Sequence, residues 1–248
     1  MFLCQSHKWF VVRTMAEHKS LAEGGARVKF EARRRGTVED FIRSSGCEEF
    51  YHTATVELAD ALTRMQEVGA TPILPDGKVG GNACCRLSLS KGIDFLVVSK
   101  SGKYAGQAID ADNDFCIVTD FNVEQWSVEF YSNSDETLPS SDTPLHYFAL
   151  HAAEKFNWTE VPFVTLHGHA IETEEAASLL HIPCSVVETL FSTPDDSHEL
   201  MNLLHQFPYP QHKIFVRKGH GFIILGKRMT DALTVFEQSV VPHLANTP

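Results

Sequence analysis

The chain has 248 residues, 43% of them apolar, and 21 Lys and Arg against 32 Asp and Glu give a formal net charge of −11. That length and apolar content allow one substantial core and exclude a disordered chain, while the acidic balance argues against nucleic acid or an anionic membrane as the main partner. No apolar run approaches the ~18 residues of a membrane span, and no internal repeat is visible.

Six cysteines, at positions 4, 47, 84, 85, 116 and 184, form no Cys-x-x-Cys pair. They read as reduced thiols of a cytoplasmic protein. Residues 1–14 carry Lys8, Arg13 and an apolar Trp9 to Val12 patch without an acid, which reads as an N-terminal extension rather than an organelle signal. We expect residues 1–36, ending in Arg33-Arg34-Arg35-Gly36, to be a disordered or loosely packed arm, and residues 37–248 to form the globular domain.

Thr53 or Thr55 is expected to cap a helix through Leu58, Leu62 and Met65, ended by Gly69. After a loop over residues 72–77, the Gly-rich run from Gly80 leads into a strand through Leu87, and Ile93 to Ser99 gives a second strand closed by Lys100-Ser101-Gly102. Phe115 to Thr119 and Ser127 to Tyr131 are further strands. Leu138 to Pro144 then breaks the sheet and starts a helix whose Leu145, Phe148, Ala149, Ala152 and Phe156 share one face. Phe163 to Leu166 predicts a buried strand. A helix over 172–180, a strand around 185–190, a helix from Thr193-Pro194 to about Phe207, and strands at 213–217 and 222–225 follow, with His220 at a hairpin tip. Thr230 would cap a last helix to about His243.

The chemistry centres on His167-Gly168-His169. Successive side chains of a strand point to opposite faces, so His167 and His169 project together, roughly 7 Å apart at the backbone. Two such imidazoles can hold two corners of a divalent-metal site, and equally they fit an ordinary histidine pair. A third ligand and a carboxylate must decide.

Gly81-Asn82, Ser99-Lys100-Ser101-Gly102, Pro139-Ser140-Ser141-Asp142-Thr143-Pro144-x-His146, His167-Gly168-His169 and His220-Gly221 occur together in one order and spacing. Over roughly residues 53–243 this order resembles the class II aldolase/adducin superfamily, which includes fuculose-phosphate and rhamnulose-phosphate aldolases and ribulose-phosphate 4-epimerase. The resemblance implies an α/β fold, a three-layer α/β/α arrangement with a central, largely antiparallel sheet, assembled as a homotetramer. It also implies His167, His169 and His220 as ligands of a divalent metal, with Zn2+ the expected ion. Three neutral imidazoles leave such an ion its full charge and an open position, as a Lewis acid requires.

Asp142 stands where relatives carry a catalytic carboxylate. At a helix start near a cation it would stay ionised, either ligating the ion or moving a proton; the plain alternative is a helix cap. Ser140 and Ser141 form a phosphate cradle at the same helix start, completed as in relatives by Gly81, Asn82, Ser101 and Gly102, and the turn geometry of the glycines is a rival explanation. Two departures stand out. Epimerase relatives use an aspartate after the middle strand and a C-terminal tyrosine as an acid/base pair, but here Ile182-Pro183 is followed by Cys-Ser-Val-Val-Glu-Thr-Leu-Phe, and no tyrosine follows Tyr209. Glu188 and His181 are nearby candidates to which the role is not assigned, so the proton donor stays unidentified; Tyr209 reads as a packing residue, and His146 and His151 read as ordinary helix histidines rather than supports of the site.

Three functions follow. The first is a metal-dependent aldehyde-lyase that cleaves or forms a carbon–carbon bond in a small phosphorylated sugar. The second is a sugar-phosphate 4-epimerase, which uses the same retro-aldol step and rebinds the opposite aldehyde face. The third is an adducin-like interaction module without catalysis.

Overall fold

The central strands are buried on both faces, and successive side chains enter one core or the other, which determines the layering. In the computed structural model, which describes residues 28–74, 76–89 and 92–245, eight strands form one sheet. They are β1 (Glu31–Gly36), β2 (Gly81–Leu89), β3 (Ile93–Ser99), β4 (Phe115–Asn122), β5 (Ser127–Tyr131), β6 (Val164–Gly168), β7 (Ile214–Arg217) and β8 (Gly221–Gly226), in the spatial order β1-β5-β4-β3-β2-β6-β8-β7. Only the β1–β5 pairing is parallel; the other six are antiparallel.

The helices cover both faces. One layer comprises α1 (Val38–Ser45), α2 (Glu48–Glu67), α5 (Glu174–Leu179), α7 (Met229–Ser239) and α8 (Val241–Ala245), packed against Ala83, Cys85, Val97, Leu166, Phe222 and Ile224. On the opposite face α3 (Thr143–Leu150), α4 (Ala152–Phe156) and α6 (Pro194–Gln206) cover Phe215, Ile223 and Leu225, while Cys84, Leu96, Val98 and Val118 build the neighbouring cluster. Adjacent residues such as Ile223 and Ile224 enter different cores, as the two-residue period of a strand demands. The expected three-layer α/β/α arrangement around a largely antiparallel sheet is therefore observed. Among the described residues no helix is long and apolar enough to cross a membrane.

Five local expectations are corrected. The loose arm does not extend to residue 36, because Glu31–Gly36 is edge strand β1, with Phe30 buried beneath it. Its arginines are held by distant partners, Arg34 by Ser132 and Asp135 and Arg35 by Glu129, which no local pattern announces. Residues 1–27 lie outside the described ones. Helix α2 begins at Glu48, five residues before Thr53. The strand expected around 185–190 is absent. The chain makes a single bridge, Cys184 to Val216, at the β7 edge and then leaves the sheet, so that Ser192 can bond the Ser141 carbonyl and accept from the Trp126 indole. Thr230 lies inside α7, whose first turn is closed instead by the Asp231 carboxylate accepting from the Arg228 amide. The helix expected from Pro144 to Phe156 is interrupted at His151 and gives α3 and α4.

Candidate metal centre

Four chain segments deliver their ends to one end of the sheet. Asn82 pairs with His167 across β2 and β6, His169 follows directly after β6, His220 sits in the turn between β7 and β8, and Asp142 precedes α3. Close backbone approach makes this meeting possible. A Cβ on Gly168 would lie 2.6 Å from the Ala70 carbonyl oxygen, and one on Gly221, at φ 138°, would lie 2.3 Å from the Gly168 carbonyl oxygen. Gly81, at φ 146°, is similarly required, since a Cβ there would meet Thr71 Cγ2 at 2.4 Å.

The result is a cluster of three buried residues, Asp142, His167 and His220, and the half-buried His169, each offering one ligand atom, all within 4.8 Å of one another. His167 Nδ1 donates to the Phe222 carbonyl at 2.7 Å, leaving its Nε2 bare and facing His169 Nε2 at 3.2 Å and Asp142 Oδ2 at 3.6 Å. His220 Nε2 lies 3.3 Å from Asp142 Oδ1, and its Nδ1 lies 3.2 Å from Asp196 Oδ2. Although these two approaches suit charge pairing, neither Asp142 Oδ1 nor His220 Nδ1 completes a well-aligned hydrogen bond. An under-satisfied buried carboxylate oxygen facing converging imidazole nitrogens fits a divalent cation, as does the mixed N/O donor set.

Electrostatics separates His167 from His220. Burial, only partly offset by Asp142, lowers His167 to about 4. For His220 burial also favours the neutral ring, but the carboxylates of Asp142 and Asp196 on its two sides outweigh it and push the pKa up to about 10. Burial alone would raise Asp142; the neighbouring His220, His167 and His169 reverse that and hold it well below the usual carboxylate range.

Asp142 stands at the helix-cap position of α3, yet its side chain makes no capping hydrogen bond. It turns instead toward the histidines and accepts from Asn82 Nδ2 at 2.5 Å. A carboxylate only accepts, so the Asn82 atom facing it must be the amide nitrogen, and Asn82 Oδ1 must face His146 Nε2 at 2.6 Å. His146 is then the Nε2–H tautomer, with Nδ1 accepting from the Thr165 hydroxyl at 2.7 Å. Burial lowers His146 to about 3, which agrees with a neutral ring. The ring read as an ordinary helix histidine therefore braces Asp142 through Asn82. His151, by contrast, stacks on Tyr147 at 4.2 Å, bonds its carbonyl and stays away from the cluster.

Gly81, Asn82, Ser101, Gly102, Ser140 and Ser141 all line one cavity of about 230 Å³ together with Asp142, His169 and His220. Gly102 takes a left-handed φ of 81°, so turn geometry alone accounts for the glycine there. Lys100 and Lys103 also line the cavity and share one carboxylate, Asp114, at 2.6 and 3.5 Å. They place positive charge there in an otherwise acidic chain. Glu188 borders a neighbouring cleft with Phe191 and Gly219, whereas Tyr209 is buried against Trp158, as a packing residue should be.

Compared by sequence, the chain matches no family model and no curated protein. Compared by structure, it matches a sugar-phosphate aldolase from Thermotoga maritima with a TM-score of 0.53 at 11% identity, over 81% of this chain and 95% of that one. An L-fuculose 1-phosphate aldolase from Glaciozyma antarctica PI12 gives 0.52 at 13% identity, over 80% and 73%. Another L-fuculose 1-phosphate aldolase gives 0.51 at 15% identity, over 77% and 82%. The fold is class II aldolase-like.

Within this class II aldolase-like fold, the sequence reading missed a buried group behind His220. Asp196, in the first turn of α6, and Arg217, the last residue of β7, are both fully buried and paired, with Arg217 Nη2 and Nε at 2.8 and 3.1 Å from Asp196 Oδ1. In the sequence Asp196 reads only as a helix-start acid, because no local pattern shows which residue of a distant hairpin it will meet.

Proposed function

We propose that the chain is a metal-dependent aldehyde-lyase, cleaving or forming a carbon–carbon bond in a small, phosphorylated sugar through an enediolate. The observation that carries this reading is the convergence of His167, His169, His220 and Asp142 on one point at the rim of a cavity. His167, His169 and His220 would hold the ion, with zinc the expected metal, and it would supply Lewis-acid stabilisation to the negative charge that develops on the enediolate oxygens.

The chain's own residues do the rest. Asp142, ionised and braced by Asn82, exchanges a proton with a substrate hydroxyl. Ser101, Gly102, Ser140 and Ser141 receive the phosphate, assisted by the positive charge of Lys100 and Lys103. A 4-epimerase is the second reading, favoured by an aspartate rather than a glutamate at position 142. An adducin-like module is disfavoured, since a binding scaffold has no use for four converging ligand atoms, three of them on buried residues. We also read the protein as a cytoplasmic homotetramer.

The test is direct. Purified protein is assayed for divalent ion, then incubated with phosphorylated ketoses while dihydroxyacetone phosphate or glycolaldehyde phosphate is measured. Cleavage abolished by a chelator and restored by zinc is expected; a chain that takes up no divalent ion would sink the reading. Interconversion of C4 epimers without free aldehyde selects the epimerase.

A further inference from the structure

Arg217 and Asp196 form an ion pair with both side chains fully buried, and Arg217 Nη1 finds no hydrogen-bond partner. Such a pair is an expensive way to stabilise a fold, because the desolvation of two charges commonly equals or exceeds their attraction, and apolar residues of similar volume do as well. Its geometry points to another use. One oxygen of Asp196, Oδ1, is occupied by Arg217 Nε and Nη2 and by the Thr189 hydroxyl at 3.1 Å. The other, Oδ2, receives the Ser192 amide at 3.3 Å and faces His220 Nδ1 at 3.2 Å. Arg217 also donates to Thr189 at 2.7 Å, so the carboxylate is fixed from three directions and has one remaining outlet, the His220 ring.

We propose that Asp196, anchored by Arg217, Thr189 and the Ser192 amide, is the positioning residue of the metal centre, committing His220 to ligation through Nε2. The inference rests on the metal reading of the cluster. A neutral imidazole has one N–H; a carboxylate 3.2 Å from Nδ1, which has no proton to give, favours the tautomer that carries the hydrogen there even though the approach is not well aligned, so Nε2 is left bare on the side of Asp142, His167 and His169. His167 is committed the same way by a neutral group, the Phe222 carbonyl. His220 lies in a turn rather than within a strand, so it lacks the flanking ladder that orients His167, and a charged, immobilised acceptor supplies that orientation instead.

The experiment uses the full chain stripped of metal and titrated with Co2+, reading affinity by chelator competition and ligand geometry from the visible absorption of the bound cobalt. Asp196→Asn presents an amide that can donate to Nδ1 and so favours the blocking Nε2–H tautomer; about 10–100-fold weaker binding is expected, the range for loss of such a partner. Asp196→Glu, which keeps the carboxylate, is expected to recover part of the affinity. Because Asp196→Asn strands the Arg217 guanidinium, Asp196→Asn/Arg217→Met removes both charges, and melting of the metal-free proteins shows which variants fold. A folded double variant that still binds cobalt weakly, with an altered spectrum, supports the inference. A folded variant lacking the carboxylate but binding cobalt with wild-type affinity and spectrum overturns it while leaving the metal reading intact, whereas a wild-type chain that takes up no cobalt overturns both.

Discussion

Asp142 and His220 carry opposite burdens at the same contact. Asp142 is held ionised by its imidazole neighbours, and His220 is held protonated by two carboxylates, so without an ion the pair is a closed charge arrangement. A divalent ion has to displace that proton. Below about 10, where His220 loses its proton, ion uptake should release the His220 proton, and affinity should rise with pH because the competing proton becomes scarcer. Calorimetry in buffers of different ionisation enthalpy measures the count. Replacing Asp142 with Asn should leave the cavity's shape intact yet lower kcat of the proposed cleavage by roughly 10²–10⁴-fold, the usual contribution of a positioned proton-transfer group. Steady-state kinetics on protein shown to be folded and metal-loaded checks this.

At the scale of elements, the site exists because strand ends approach more closely than side chains allow. Gly221 is the sharpest case: its φ of 138° and the Gly168 carbonyl beneath it leave no room for a Cβ. Gly221→Ala should cost at least about 1–3 kcal/mol from backbone strain alone. It should also weaken metal binding, since His220 is the preceding residue; thermal melting with and without added zinc separates the two effects. The start of α3 shows the same economy in another form. Asp142 occupies the capping position but gives its carboxylate to the cluster, while the Ser140 carbonyl accepts from Thr143 to close the turn. Helix α6 likewise begins with Thr193 accepting from the Asp196 amide, which fixes the backbone from which Asp196 reaches His220.

For the whole molecule, the segment that leaves the sheet after Cys184 carries exposed apolar side chains. Val186 is 84% exposed, Val187 51% and Leu190 47%, with Leu179 nearby in sequence at 77%. Such surface is costly for a monomer and adjoins the cavity through Phe191. Light scattering coupled to gel filtration should therefore give a mass several times that of one chain, and Val186→Glu with Val187→Glu should reduce it without lowering the metal affinity of the dissociated chain.

Most of the architecture was legible because two-residue and helical periodicities are local: β3, β5, α6 and the β7–β8 hairpin follow directly from residue order. His167 and His169 were legible as a pair for the same reason, since strand geometry alone places them on one side. Residues joined by distant pairing were not. Arg-rich β1 looked like a tail until β5 paired with it, the segment 185–190 looked like a strand until its lack of a neighbour was known, and His146 looked ordinary until Asn82 and Thr165 closed around it. The amino-acid sequence by itself determined which segments become strands and helices and which histidines share a face, because those follow from steric periods of a few residues. Only the tertiary structure decided that His220 comes within ligating distance, that Asp196 stands behind it and that Asp142 faces inward, because each depends on packing between elements dozens of residues apart.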